Sequence, residues 1–254
     1  MRFPRAQIIS ALLCCALAPA FALGGKEQPL TGVVDNVLPQ SSPAADFTLI
    51  DQHNAPFHMA DTKGKVVLMT FIYTHCTDIC PYIALKVKDA HDLLGADAGK
   101  VVFVAVTTDP KRDVPQVTAA YSKEIGLLDG WHFVGGPAEA VQAVWASYGI
   151  GVTVDPDTAA VAPPRDDKMS ATSSHKDTTD VETVPDSDAP IQGLSKPDVA
   201  RAGRIARAFG GGYEVGHSAP FWIVDKKGRI RVGMDASATP ADIVTNVRVL
   251  LKLR

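Results

Sequence analysis

Two stretches of the chain are continuously apolar and rich in β-branched residues. Residues 66–73 read VVLMTFIY and residues 101–106 read VVFVAV. Runs of this length without polar alternation are typical of strands that are buried on both faces. We therefore expect two central strands of one sheet, preceded by a shorter strand at 47–51 that ends in the polar turn QHN.

Helical spacing follows these strands. Apolar residues recur every three or four positions from Pro81 to Leu94, and proline fits the first turn of a helix. The same spacing predicts helices at 113–125 and 137–148. Strands that alternate with helices in this way are typical of an α/β fold.

The last part of the chain predicts a hairpin and a final helix. Residues 221–224 (FWIV) and 229–232 (RIRV) flank the turn KKG. The tetrapeptide TPAD at 239–242 places a hydroxyl cap, a proline and an acid where a helix begins. Together with the earlier elements, this pattern predicts a three-layer α/β sandwich around a mixed sheet.

Residues 155–200 depart from this plan. They contain ten acidic residues against four Lys or Arg, a net charge of −6, and few large apolar residues. Such a segment buries too little apolar area to offset the entropy lost on ordering. We predict a mobile acidic insertion within the domain, with a short helix at 197–208 near its end.

The first residues carry the features of an export signal. Arg2 and Arg5 precede an apolar run at 8–18 and the small-residue site AFA at 20–22. We predict a signal peptide at 1–22, a flexible leader at 23–43, and one domain at 44–254. The predicted location is the periplasm or another extracytoplasmic space, near the membrane and anchored to it if the signal stays uncleaved.

The overall composition suits a soluble globular domain. Apolar residues make up 46% of the chain and the formal net charge is −3. That charge, with no Lys/Arg-rich run in the folded region, argues against nucleic acid as a partner.

Export would leave the mature chain with Cys76 and Cys80 as its only cysteines, because Cys14 and Cys15 fall within the predicted signal. The pair lies between the strand at 66–73 and the helix that follows, where the helix dipole favours thiolate. Two thiolates so placed form either a redox couple or two ligands of a soft metal, with Cu(I), Cu(II) and zinc as candidates.

A further ligand for such a metal would be an imidazole, and the chain contains seven histidines. His217 is favoured because it lies in the glycine-rich segment 210–218, predicted as a flexible loop, just before a buried strand. His75 adjoins Cys76, and its ring should point away from that sulfur in an extended chain. From the residues alone, the choice among the histidines stays open.

Three motifs resemble the Sco/SenC family. Residues 71–81 read FIYTHCTDICP, residues 108–113 read TDPKRD, and residues 213–218 read YEVGHS. The resemblance covers residues 44–154 and 201–254. It implies a thioredoxin-like fold in which Cys76, Cys80 and His217 bind one copper ion, as Cu(I) or Cu(II).

The resemblance also implies a function, the assembly of the copper A centre of cytochrome c oxidase. The expected partner is the copper-bearing subunit of the oxidase, and another copper chaperone is a further candidate. Such a protein acts by metal delivery, by thiol reduction, or both. The alternative is a thiol-disulfide oxidoreductase or redox sensor that uses Cys76 and Cys80, although such enzymes usually separate the cysteines by two residues rather than three.

The chain departs from the family pattern in three places: two positions within these motifs, and the insertion at 155–200, which is longer than the resemblance leads us to expect. Thr77 stands where proline is usual, and Gly216 stands where an aspartate usually precedes the histidine. Two acids of the motifs have structural interpretations. Asp78 is expected to cap the helix, with tuning of the charge of the site as the alternative. Asp109 is expected to form a turn and a helix cap, with a role in a partner surface as the alternative.

Overall fold

A computed structural model describes residues 42–127, 130–155 and 191–253. The strands in these ranges are β1 (Thr48–Ile50), β2 (Pro56–His58), β3 (Val66–Ile72), β4 (Val101–Thr107), β5 (Trp131–Val134), β6 (Val152–Asp155), β7 (Glu214–His217), β8 (Phe221–Val224) and β9 (Ile230–Met234). The helices are α1 (Cys80–Leu94), α2 (Pro115–Ile125), α3 (Ala138–Ser147), α4 (Lys196–Phe209) and α5 (Pro240–Lys252). Short 3₁₀ turns at Met59–Thr62 and Gly95–Lys100 precede β3 and β4.

The central sheet is mixed and has the strand order β5-β4-β3-β8-β9. Strands β3, β4 and β5 run parallel, with Val66 opposite Val101 at the start of the first pair. Strand β8 lies antiparallel to β3, and β9 lies antiparallel to β8. Two smaller antiparallel pairs, β1-β2 and β6-β7, lie outside this sheet.

The sheet is covered on both faces, which explains why its central strands are apolar except for Thr70 in β3 and Thr107 in β4. Alternate residues of β3, such as Leu68, pack with helices α1, α2, α4 and α5 on one face. Residues between them, such as Met69, pack with α3 and the β1-β2 hairpin on the other face. The three-layer sandwich predicted from the sequence is confirmed.

The predicted strands and helices of the central fold are confirmed, with bounds shifted by a few residues. The final helix has the predicted cap: the Thr239 hydroxyl accepts from the Asp242 amide, and the Asp242 carboxylate accepts from the Thr239 amide. Helix α2 begins at Pro115 rather than at Asp113, because Val114, the residue before the proline, has an extended backbone.

One prediction near the site is wrong. The segment 210–218 is not a flexible loop throughout, because its second half is strand β7. This strand pairs with β6 in the register Val152 to His217. The pairing satisfies backbone groups, and Val215 is buried beneath it. The sequence patterns gave no indication of β6 or of this pairing.

Several calls fall wholly or partly outside the described residues. These are the signal peptide at 1–22, most of the leader at 23–43, and residues 156–190 of the predicted acidic insertion. The end of the leader is described, and Pro43 forms an isolated bridge with Arg229. The helix expected at 197–208 is α4, which is capped by the Ser195 hydroxyl.

None of the described helices is both long enough and apolar enough to cross a bilayer.

Candidate metal centre

The two cysteines lie where the most buried strand of the sheet meets the first helix. Cys76 is in the loop after β3, and Cys80 is the first residue of α1, followed by Pro81. Both side chains are buried, at 3% and 0% exposure, and both thiols are free. A free pair at this junction is available both to a metal and to an oxidant.

Helix α1 begins without a side-chain cap, so the capping role expected of Asp78 is wrong. The N-cap residue is Ile79, with helical dihedrals of φ −84° and ψ −28°. A capping side chain needs an extended residue at that position. Asp78 is instead exposed at the surface of the loop.

The two thiols differ in acidity because one hydrogen bonds to the other. A hydrogen bond from the Cys80 side chain lowers the pKa of Cys76, and amide donors from residues 78 and 80 act in the same direction. Burial raises the pKa of Cys80 well above its usual value. Cys76 is therefore the first of the two to become a thiolate.

His217 lies at the end of β7 and faces Cys80. Its Nε2 is 3.5 Å from the Cys80 Sγ, and its Nδ1 donates to the carbonyl oxygen of Ser218 at 3.1 Å. Burial lowers the pKa of the imidazole. The ring is thus neutral near pH 7 and carries its proton on Nδ1, which leaves the Nε2 lone pair directed at the sulfur.

The separation of Cys80 and His217 suits two ligands of one ion. With bonds of about 2.3 Å to sulfur and about 2.0 Å to nitrogen at tetrahedral angles, two such ligands lie about 3.5 Å apart. No three His, Cys, Asp or Glu side chains of the described ranges converge closely enough to hold a metal as they stand. Closing a shell of Cys76, Cys80 and His217 therefore needs side-chain movement.

Tyr73 connects the cysteine loop to β7, a role that the sequence analysis missed. Its ring packs edge-on against His217, with centroids 5.6 Å apart. Its hydroxyl donates to Glu214 Oε2 at 2.7 Å and accepts from the Val215 amide at 3.2 Å. Thr77 donates to the other carboxylate oxygen of Glu214 at 3.3 Å. The last residue before the loop thus fixes the strand that carries the histidine.

A second cluster clamps the segment before β7. The Arg112 guanidinium lies 3.7 Å from the ring centroid of Tyr213 and donates to the Gly211 carbonyl at 2.9 Å. Asp109 is ion-paired with Arg112 and accepts from the Tyr213 hydroxyl at 2.7 Å. Asp109 forms the expected turn, since its carbonyl accepts from two following amides, but it caps no helix because α2 begins at Pro115.

Asp113 is the buried anchor of the cysteine loop. Its carboxylate accepts from the Thr74 amide at 3.2 Å, from the Thr74 hydroxyl at 2.6 Å and from the Thr107 hydroxyl at 2.6 Å. A charge-assisted acceptor shared by three donors holds the backbone two residues before Cys76. The motif TDPKRD identified the acid but not this contact.

The other described histidines lie in different surroundings. Each contacts a residue away from the two sulfurs: His53 contacts Gln52, His58 contacts Thr48, His75 contacts Thr74, His91 contacts Phe103 and His132 contacts Asp51. Among the described histidines, His217 is the one that the structure brings to a cysteine sulfur.

Gly216 lies opposite Thr153 in the β6-β7 pair. A Cβ atom added at Gly216 would lie 2.8 Å from Thr153 Oγ1. The hydroxyl of Thr153 also donates to the Gly216 carbonyl at 3.3 Å. The threonine thus occupies space that a side chain at position 216 would need.

The fold and the site together define the class, a thioredoxin-like protein with a histidine beside its dithiol. The defining features are the parallel β3-α1-β4 unit, the antiparallel β8-β9 hairpin and the cysteine pair at the end of β3. The family follows from sequence. The profile described as SCO1/SenC matches residues 37–177. The chain belongs to this family. The match includes both cysteines and ends before His217.

Individual relatives agree with this assignment. The chain is 32% identical over 136 residues to an SCO2-like protein of Rickettsia felis, covering 52% of this chain and 66% of the relative. It is 40% identical over 79 residues to protein sco1 of Schizosaccharomyces pombe, covering 31% and 30%. The matches to the four Rickettsia proteins span about half to two thirds of their length.

Solved structures show the same fold. ScoI of Bradyrhizobium japonicum with copper bound has a TM-score of 0.56 at 20% identity and covers 82% of this chain and 99% of its own. Yeast Sco1 with copper bound has a TM-score of 0.55 at 18% identity, covering 84% and 90%. The thioredoxin-like fold implied by the sequence motifs is therefore confirmed.

The contacts of Asp113 generate a stability prediction. Asp113→Ala leaves one amide and two hydroxyls without their acceptor, and each such buried group costs about 1–3 kcal/mol. We expect a loss of about 3 kcal/mol or more in the free energy of unfolding, measured by urea denaturation followed by tryptophan fluorescence. Asp78→Ala, an exposed acid of the same loop, should change it by less than about 0.5 kcal/mol. Equal losses in the two variants would contradict the anchoring role.

The crowding at Gly216 generates a second prediction. Gly216→Asp should lower the free energy of unfolding more in the natural chain than in a Thr153→Ala background. The expected difference is about 0.5–1 kcal/mol, the size of a cross-strand pair effect. A double-mutant cycle of unfolding free energies measures this coupling. A coupling of zero would show that Thr153 rotates away at no cost.

Proposed function

We propose that this protein binds one copper ion through the thiolates of Cys76 and Cys80 and the Nε2 of His217. The observation that supports this most directly is the 3.5 Å approach of an unprotonated Nε2 to the sulfur of Cys80. Two thiolates and one neutral imidazole form a soft donor set, which suits copper in either oxidation state. The two Sco proteins named above, whose solved structures have copper bound, share this fold.

Each of the three proposed ligands has a different role when copper binds. Cys76 supplies the first thiolate because its pKa is lowered. Cys80 gives up its proton when the metal arrives, and the positive charge of the ion offsets the cost of a buried thiolate. His217 binds without losing a proton, because its proton already sits on Nδ1 and is held by Ser218. Loading should therefore release proton from the thiols and not from the imidazole.

Redox state controls this site. Oxidation of Cys76 and Cys80 to a disulfide passes two electrons to an oxidant, such as a partner disulfide that becomes two thiols, and removes both sulfur ligands. Copper occupancy and thiol redox state are therefore linked. A reduced pair is required for uptake.

We further propose that the copper serves assembly of the copper A centre of cytochrome c oxidase in an extracytoplasmic compartment. The acceptor would be the copper-bearing subunit of the oxidase, and another copper chaperone could supply the metal. Membership of the SCO1/SenC family supports this role, and the export pattern at residues 1–22 supports the compartment.

The ligand set predicts a simple stoichiometry. Purified reduced protein should bind about one copper ion, measured by metal analysis after desalting, and Cys76→Ser, Cys80→Ser and His217→Ala should each lose it. The control is His58→Ala, since His58 is exposed and bonded to Thr48 away from the site. Full stoichiometry in any of the three ligand variants would break the proposed set.

A second function, thiol-disulfide exchange on an exported partner, is favoured by one observation. The pair combines a Cys76 with lowered pKa and a buried Cys80 with raised pKa. This asymmetry is typical of dithiol reductases, in which one thiol attacks and the other resolves.

His217→Ala separates the two functions because it removes a metal ligand and keeps both thiols. In a strain deleted for the gene, copper delivery predicts that this variant fails to restore cytochrome c oxidase activity, whereas added copper restores it. Thiol reduction predicts that His217→Ala restores activity and that Cys80→Ser does not. Oxidase activity in membranes decides between them.

A further inference from the structure

The Glu214 carboxylate connects both ends of the segment that carries Cys76. Glu214 is the first residue of β7, and its Oε2 accepts a hydrogen bond from the Tyr73 hydroxyl at 2.7 Å. Its Oε1 accepts from the Thr77 hydroxyl at 3.3 Å, which is the longer and weaker bond of the two. Tyr73 precedes Cys76 by three residues, and Thr77 follows it directly. One carboxylate therefore holds this segment at two points.

The other end of β7 carries His217, which also contacts Tyr73. The Tyr73 ring lies edge-on to the imidazole, with centroids 5.6 Å apart, and the Tyr73 hydroxyl accepts from the Val215 amide at 3.2 Å. Tyr73 is 1% exposed, so these contacts and its bond to Glu214 form away from bulk water. The strand is thus held to the cysteine loop at both of its ends.

Thr77 also contacts the chain just before β7. A Cβ atom added at Gly210 would lie 2.5 Å from the Thr77 Cγ2, so the methyl group of the threonine packs directly against the Gly210 backbone. Gly210 is the residue at which helix α4 ends. The segment 210–214 therefore meets Thr77 at both of its ends, through packing at Gly210 and through a hydrogen bond at Glu214.

We propose that Glu214 is a positioning residue for copper, which raises the affinity of the site without binding the ion. No three metal-binding side chains of the described ranges converge as they stand, so copper binding requires movement into a closed shell. The contacts of Glu214 restrict the cysteine loop and β7 before the ion arrives, and this lowers the entropy that binding must remove. Such preorganisation strengthens binding without adding a ligand. The inference rests on the proposed function.

The proposal predicts weaker copper binding at an unchanged stoichiometry. The affinity for Cu(I) is measured by competition with bathocuproine disulfonate, followed by absorbance. Glu214→Ala should still bind about one copper ion at saturating metal, but with an affinity about tenfold lower, the lower end of the effects seen for residues that support metal ligands. Tyr73→Phe should lose a similar factor, because it breaks the same link and keeps the ring beside His217. It provides the same test should Glu214→Ala not fold.

Graded variants and a matched control separate positioning from general destabilisation. Glu214→Gln keeps the shape and one acceptor oxygen, so its affinity should lie between those of the parent and of Glu214→Ala. Thr77→Val removes only the longer bond and should lie closer to the parent. Tyr148→Phe is the control for Tyr73→Phe. It removes a hydroxyl that donates to the Ala45 carbonyl at 2.9 Å, on the other face of the sheet, and its copper affinity should equal that of the parent.

Hydrogen exchange of the metal-free protein tests the positioning independently of copper. The Val215 amide should exchange about tenfold faster in Glu214→Ala than in the parent, because β7 loses its link to the loop, and at the parental rate in Tyr148→Phe. Parental copper affinity or parental exchange in Glu214→Ala would overturn the inference while leaving copper binding intact, as would an equal loss of affinity in Tyr148→Phe. A parent that takes up no copper would instead overturn the proposed function, and the inference with it.

Discussion

The contact between Tyr73 and strand β7 is the interaction on which the site depends. Tyr73 ends the buried run that continues β3, and its hydroxyl bonds both Glu214 and the Val215 amide. These bonds hold β7 against the cysteine loop although the two are about 140 residues apart in the chain. The approach of His217 to Cys80 follows from this docking together with the β6-β7 pairing.

Charges buried near the dithiol are paired rather than left isolated. Arg112 is held between Asp109 and the ring of Tyr213, and Asp113 accepts three hydrogen bonds. Each group would be costly to bury alone. Together they join the loops after β3 and β4 to the segment before β7. The site is thus assembled from three separate parts of the chain, which are joined by these polar contacts.

The parts of the fold that the sequence predicted well are those governed by local patterns. The apolar runs of β3 and β4 are buried on both faces, and the TPAD signal gives a true capping box at Thr239. The elements that it missed are short or depend on partners. Strand β7 contains Gly216 and has only four residues. Its extended form is stabilised by pairing with β6, and no local sequence pattern predicts that pairing.

The sequence by itself determined the chemistry of this protein: two thiols at a strand-helix junction, a histidine in a recognisable motif, and a layered α/β fold. Those features depend on residue type and on spacing within one element. The tertiary structure decided which of the histidines reaches a sulfur, which acid anchors the loop and which merely faces solvent, and which nitrogen of the His217 ring carries the proton. These depend on distances between residues far apart in the chain, and such distances exist only once the layers have packed.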